Sequence, residues 1–274
     1  MIRLTINNII LWTILIGIFF IPFNSWSGIG FLGEYYRDSC FLFFSFAFVL
    51  TLLKKRIQIP LNNLIFQFLI LFILWSFLAT ILNAHNIFDY YFKQTTGIAR
   101  FINQFGSLII TSLIIPLTFY NGFKKIKINN IFRLIRKVIL ASLIIAFIYS
   151  IIEILIVKLN MVYLKKPLLN LFDYFPFTEA KTDMRLQRIS SVTFEPPALG
   201  TYLLSIAGWM FSYVLTEKNK LKYLPLIIVL FLGFMSGSRA AFFAIIMQFM
   251  IALFFFVKHK NSSKNIYKIL LGFS

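Results

Sequence analysis

Long apolar runs alternate with short polar, mostly basic connectors along the whole chain. The runs fall at about 8–23, 39–53, 61–82, 101–120, 138–157, 197–215, 223–235 and 240–257. An apolar helix of roughly 20 residues crosses a hydrocarbon core about 30 Å thick. The pattern therefore predicts an all-α, polytopic transmembrane bundle of about eight spans, organised as a single domain over residues 1–274, with Ile269-Leu270-Leu271 opening a ninth. No internal repeat, coiled coil or low-complexity linker interrupts it.

The seventh run departs from this scheme. From Lys222 it offers about thirteen residues before Ser236-Gly237-Ser238-Arg239, some 20 Å of helix, short of the far boundary. The next run returns to Lys258, so the two are predicted to form a hairpin with Ser-Gly-Ser-Arg at its tip and Arg239 slightly within the membrane's outer edge. Such a tip is tolerated where it lines a watery cavity or is buried in protein.

Composition removes several classes of protein. Hydrophobic residues make up 59% of the chain and charged ones 13%, with a mean hydropathy of +0.84, which excludes an ordinary water-soluble domain. The sole cysteine, Cys40, permits no internal disulfide, and two histidines build no obvious metal cluster, so metal-free chemistry without a cofactor is expected. Arg3 precedes the first run and no small-residue cleavage site follows it, so the run reads as an uncleaved anchor.

A net charge of +18 could suggest nucleic acid. The basic residues are instead spread among short loops, without a basic groove or an aromatic RNA motif, and fit topology signals facing anionic membrane lipids. A cytosolic N-terminus places 17 of the 27 Lys and Arg residues inside and 10 outside. Six of those 10 lie in one extracytoplasmic loop, residues 158–196, much longer than a connector requires. Phe172, Tyr174, Phe175 and Phe177 in this loop suit a short interfacial helix.

The charges at the outer ends of apolar segments are the candidates for chemistry, because arginine near a bilayer is costly. Arg239 either snorkels to headgroups or faces a polar cavity together with Ser238. Arg185 and Arg188 precede a helix starting at Pro196; they are either solvated loop charges or groups over the cavity mouth. Glu195 can complement the positive end of that helix with Thr193 as its cap, orient an arginine, or accept a proton from an attacking hydroxyl. Glu153, near the outer end of the fifth run, pairs with an arginine or, the preferred reading, faces interfacial water. Arg100 either anchors the fourth run or supplies a third cation. His85, in an Asn83–Asn86 loop, and His259, among lysines, read as surface residues.

Guanidinium forks bind phosphate oxygens bidentately and keep their charge when partly desolvated, so converging arginines suit an anionic lipid headgroup, a phosphate or diphosphate. Arg188-Ile-Ser-Ser-Val-Thr-Phe194-Glu195-Pro196 before an apolar run, and Ser238-Arg239-Ala-Ala opening another, resemble the two arginine motifs of the O-antigen polymerase and O-antigen ligase superfamily. The likeness is close over about residues 180–245 and loose in the span layout elsewhere. It implies a metal-independent glycosyltransferase at the outer side of the bacterial cytoplasmic (inner) membrane, acting on undecaprenyl-diphosphate-linked oligosaccharide, with flippase or chain-length-regulating proteins as partners. Arg188 and Arg239 would hold the departing diphosphate, Glu195 would orient Arg188 or assist the acceptor hydroxyl, and Arg185, Ser238 and Arg100 would bind substrate. Superfamily members continue into a further large outer loop and more spans, whereas this sequence stops at Gly272-Phe273-Ser274 and looks truncated at its C-terminus. The ligases' histidine motif is absent, which favours a repeat-unit polymerase over a ligase. A flippase or transporter of lipid-linked saccharides and a non-catalytic membrane subunit are the rival readings.

Overall fold

The computed structural model describes residues 6–25, 38–54, 57–88, 91–92, 95–164 and 187–260. Arg185, the aromatic stretch at Phe172–Phe177 and the run opening at Ile269 lie outside them. The described part is helical throughout apart from one short antiparallel pair, Tyr91–Phe92 with Thr95–Thr96. The chain divides into two compact units, one from Met1–Gly17, Ile29–Tyr36 and Phe41–Ile131, the other from Ile18–Gly28, Arg37–Cys40 and Phe132–Ser274.

The first unit holds most of α1 (Ile6–Phe19) and α2 (Cys40–Leu53), then α3 (Leu64–Leu82), a short α4 (Ala84–Phe88), α5 (Gly97–Ile109) and α6 (Ile115–Phe123). Asn63 caps α3 by accepting from Ile65 N at 2.9 Å, the use expected of an asparagine before an apolar helix. A π-helical turn, Ile110–Ile114, joins α5 to α6 directly ahead of Pro116. Proline lacks the N–H for the regular ladder and its ring crowds the preceding turn, so a wider turn is a physical way through. The Asn121 side chain accepts from Gln58 N at 2.9 Å and donates to Gln58 O at 3.0 Å, tying the connector before α3 to α6. His85 is exposed on α4, so Ala84–Asn86 is helix rather than the loop expected there.

The second unit is built around α7 (Ile128–Val157), of which Phe132 onward belongs here, with α8 (Pro196–Thr216), α9 (Leu224–Met235) and α10 (Arg239–Lys260). Helix α7 begins well before the apolar run at 138, because nothing between Ile128 and Lys137 breaks a helix. Its buried positions, Ile139, Leu143, Ala146, Ser150, Glu153 and Val157 among them, recur every three or four residues, the stripe of a helix with one face in a core. Phe23, Ala146, Tyr149, Ile156 and Val192 form that core, with Phe19, Phe20 and Leu164 against it. Helix α8 packs on both α9 and α10.

All eight apolar runs fold as helix, but four helical stretches are long and apolar enough to cross a membrane: Leu64–Leu82, Gly97–Phe123, Ile128–Val157 and Pro196–Thr216. Ile6–Phe19, Cys40–Leu53 and Arg239–Phe255 are apolar and shorter, and α9 has 12 residues. Among the described residues, length and composition thus support four spans and leave the expected count of about eight unconfirmed. Helix α3 buries Phe66 alone, and its exposed Ile65, Phe68 and Trp75 suit a surface facing lipid, where helical backbone satisfies its own hydrogen bonds.

Candidate functional site

Helix α8 opens on Pro196-Pro197 at its first two positions, where a missing N–H costs nothing and φ is already set. Glu195 is the N-cap residue, extended at φ −156 and ψ 157, with no side-chain capping bond. Thr193 is not the cap expected of it: its hydroxyl lies 2.7 Å from Ser190 O and 2.9 Å from Glu195 O and shares its one proton between them, bracing the loop before the helix. Glu195 itself is exposed.

That loop, Arg188–Glu195, is fixed from several sides within the second unit. Ile189 and Val192 are fully buried. Ser191 Oγ donates to Ala146 O at 2.7 Å, Ser25 Oγ donates to Val192 O at 3.2 Å, and Phe194 N donates to Asn24 Oδ1 at 3.0 Å. The most concentrated anchor is Glu153, 3% exposed on α7. Its carboxylate accepts Ser190 N at 3.0 and 3.1 Å, Ser191 N at 2.7 Å and Ser190 Oγ at 3.2 Å. Glu153 therefore does not face interfacial water and, among the described residues, meets no arginine, because the buried backbone donors of the loop converge on it and an acceptor there is the alternative to leaving them unsatisfied.

The second arm of the site is the turn between α9 and α10. Ser236 is buried, donates to Gly233 O at 2.8 Å and accepts from Ser238 N at 3.3 Å. Gly237 turns the chain at φ +64, a conformation glycine enters without steric cost. A Cβ on Gly237 would lie 3.0 Å from Arg188 Cγ and 3.1 Å from its Nε, so the arginine lies across the turn. A Cβ on Gly200 in α8 would lie 2.8 Å from Ala241 Cβ and 3.0 Å from Ser238 Cβ; the bare glycine lets the first turn of α10 seat there.

The two arms meet around one cavity of about 420 Å³, within the range of small-ligand sites. Lys158, Gln187, Arg188, Ser238 and Arg239 supply its polar lining, and Phe234, Met235 and Phe242 its apolar part. Arg188 and Arg239 thus share one hollow with Ser238, and Gly237 is in contact with the first. Glu195 and Arg100 do not line it; Arg100 is exposed on α5 of the first unit. Among the described residues no acid lines the cavity, and there Lys158, Arg188 and Arg239 give it a positive field that would favour a bound anion. Lys158, Gln187 and the anchoring role of Glu153 were not foreseen. A carboxylate inside an apolar run was the available signal for Glu153, and the first polar position after such a run for Lys158.

A third arginine behaves differently. Arg136, on α7, is buried; its Nη1 donates to Thr216 Oγ1 at 2.5 Å and its Nη2 to Glu217 Oε1 at 2.7 Å. The guanidinium lies 4.1 Å from the Tyr213 ring centroid and 5.6 Å from that of Phe132. This is the ion pair found among the described residues. Its Nε finds no hydrogen-bond acceptor among them.

Among the described residues no group of three or more His, Cys, Asp or Glu side chains could hold a metal ion. No protein-family model, curated protein or solved structure matches the chain.

Proposed function

We propose that this chain is a membrane glycosyltransferase that polymerises undecaprenyl-diphosphate-linked oligosaccharide repeat units at the outer face of a bacterial cytoplasmic membrane. The supporting observation is the cavity in which Arg188 and Arg239, from separate segments, stand with Lys158 and Ser238 and, among the described residues, without a lining acid. Planar guanidinium donors on two sides suit the several oxygens of a diphosphate, and the apolar wall at Phe234, Met235 and Phe242 suits the first part of a prenyl chain. In this reading the N-terminus is cytosolic, all eight apolar runs are embedded, and α9, at about 18 Å, ends below the outer surface so that the turn at Gly237 opens into a hydrated hollow.

The acceptor hydroxyl attacks the anomeric carbon of the donor's reducing-end sugar, the bond from that carbon to the diphosphate oxygen breaks, and undecaprenyl diphosphate leaves. Arg188 and Arg239 stabilise the charge that grows on the leaving oxygens, Lys158 and Ser238 add donors, and the exposed Glu195 carboxylate takes the hydroxyl proton. Arg100 has no part in this assignment. The test is expression of the full-length protein in a strain lacking its own repeat-unit polymerase, read as the ladder of surface glycan lengths. A ladder restored by the wild type and lost in Arg239→Ala and Arg188→Ala at equal membrane abundance supports the reading. A ladder unchanged by both variants overturns it.

A further inference from the structure

Two residues flanking Arg188 in the chain, one of them in the cavity lining, adopt backbone conformations that side chains disfavour. Gln187 stands at φ 48 and Ser191 at φ 55, a left-handed region that a residue with a Cβ enters only against a steric penalty and that persists where neighbours over-determine it. At Ser191 the over-determining contacts are visible: its N–H meets Glu153 Oε2 at 2.7 Å and its hydroxyl meets Ala146 O at 2.7 Å. Both partners are on α7, the same helix whose end presents Lys158 to the cavity. Arg188 is two positions from the first residue that Glu153 holds, and Ile189 between them is fully buried.

We infer that Glu153 is a positioning residue: its buried carboxylate fixes the Ser190–Ser191 backbone to α7 and thereby holds Arg188 against Gly237, at a set distance from Arg239 and Lys158. The inference rests on the proposed diphosphate site for what Arg188 is positioned to meet, while the mechanical claim, an ordered loop dependent on Glu153, stands on the contacts alone. A glutamate suits the task because its two oxygens accept three donors at once. Glutamine has one acceptor oxygen and would turn an N–H₂ toward a backbone N–H, and alanine removes the acceptors altogether. Leaving buried donors unmet weakens whatever depends on their placement by about five- to a hundredfold.

The experiment uses the full chain in nanodiscs, with Cys40, its only cysteine, replaced by serine and a spin label on Gln187→Cys. The electron paramagnetic resonance line shape reports the order of the loop. Farnesyl diphosphate affinity is measured in parallel on the chain without the label, with Glu153 intact or changed to Gln or Ala. Expected are an immobilised label with Glu153, a more mobile one in Glu153→Gln and most mobile in Glu153→Ala, and affinity falling in the same order. If Glu153→Ala does not fold, Glu153→Gln decides. An unchanged line shape, or a mobile loop with unchanged affinity, overturns the inference. A wild-type chain that does not bind farnesyl diphosphate at all counts against the diphosphate site, and the line shape still decides whether Glu153 orders the loop.

Discussion

Arg136 and the pair Arg188 and Arg239 belong to one compact unit, yet they meet opposite solutions to the problem of placing a cation near apolar helices. Arg136 is enclosed: an acid, a hydroxyl and two aromatic rings surround it. Arg188 and Arg239 are exposed side chains at the edge of a hollow that no acid among the described residues lines. A buried cation must carry its counter-charge with it or cost several kcal/mol, so Arg136 is complete without a ligand. The other two have no acidic partner among the described residues, and in the proposed reading a bound anion would complete them. Two arginines are thus set apart from a third by what surrounds them, which the residue type alone does not tell.

The largest expected effect breaks the open site without touching the closed one. Arg239→Ala or Arg188→Ala should lower glycan polymerisation by about a hundred- to a thousandfold, the usual consequence of losing one donor to a developing oxyanion, with stability within about 0.5 kcal/mol of wild type as for exposed side chains. Quantifying ladder formation alongside thermal unfolding in nanodiscs checks both halves. Glu217→Ala should do the reverse. It strands the Arg136 charge, and because Glu217 itself is 45% exposed the loss should be about 2 kcal/mol, below that of a fully buried pair, with polymerisation kept once the protein is folded.

A finer probe is Gly237→Ala. The positive φ and the 3.0 Å approach to Arg188 Cγ should cost about 1 kcal/mol of stability and displace the arginine, so farnesyl diphosphate affinity should fall although no charge is lost. Unchanged affinity there would mean that the contact does not set the arginine's place. Smallest is Lys158→Ala, expected to weaken that affinity about two- to fivefold, as for a solvent-exposed charge, with the difference shrinking as salt is raised. Titration at low and high ionic strength separates this from a contact loss, which salt leaves in place.

The apolar runs made the helices legible because eight long stretches, uncharged but for Glu153, leave few alternatives in a chain of this hydropathy. Their status as spans was less so: Ile6–Phe19 and Cys40–Leu53 end early at Phe20–Pro22 and Lys54, and length decides crossing. The hairpin at Gly237 and the helix start at Pro196 were readable, since glycine and proline act through local backbone geometry. Glu153 was misread because its partners are backbone N–H groups of a distant segment, and amide donors carry no mark in a sequence. Thr193 was assigned the commonest local use of its hydroxyl, but with its own loop turned beneath the helix the nearer acceptors were Ser190 O and Glu195 O. Lys158 was hidden among six like charges, which only the fold could rank.

What the comparison finally requires is that the two open arginines address one anion. A double-mutant cycle on farnesyl diphosphate binding measures this: wild type, Arg188→Ala, Arg239→Ala and the double variant, in nanodiscs at one ionic strength. The account predicts that the losses do not add, with a coupling of about 0.5–3 kcal/mol between residues sharing a partner. Losses that add to within about 0.5 kcal/mol, or affinities that neither substitution alters, would contradict it.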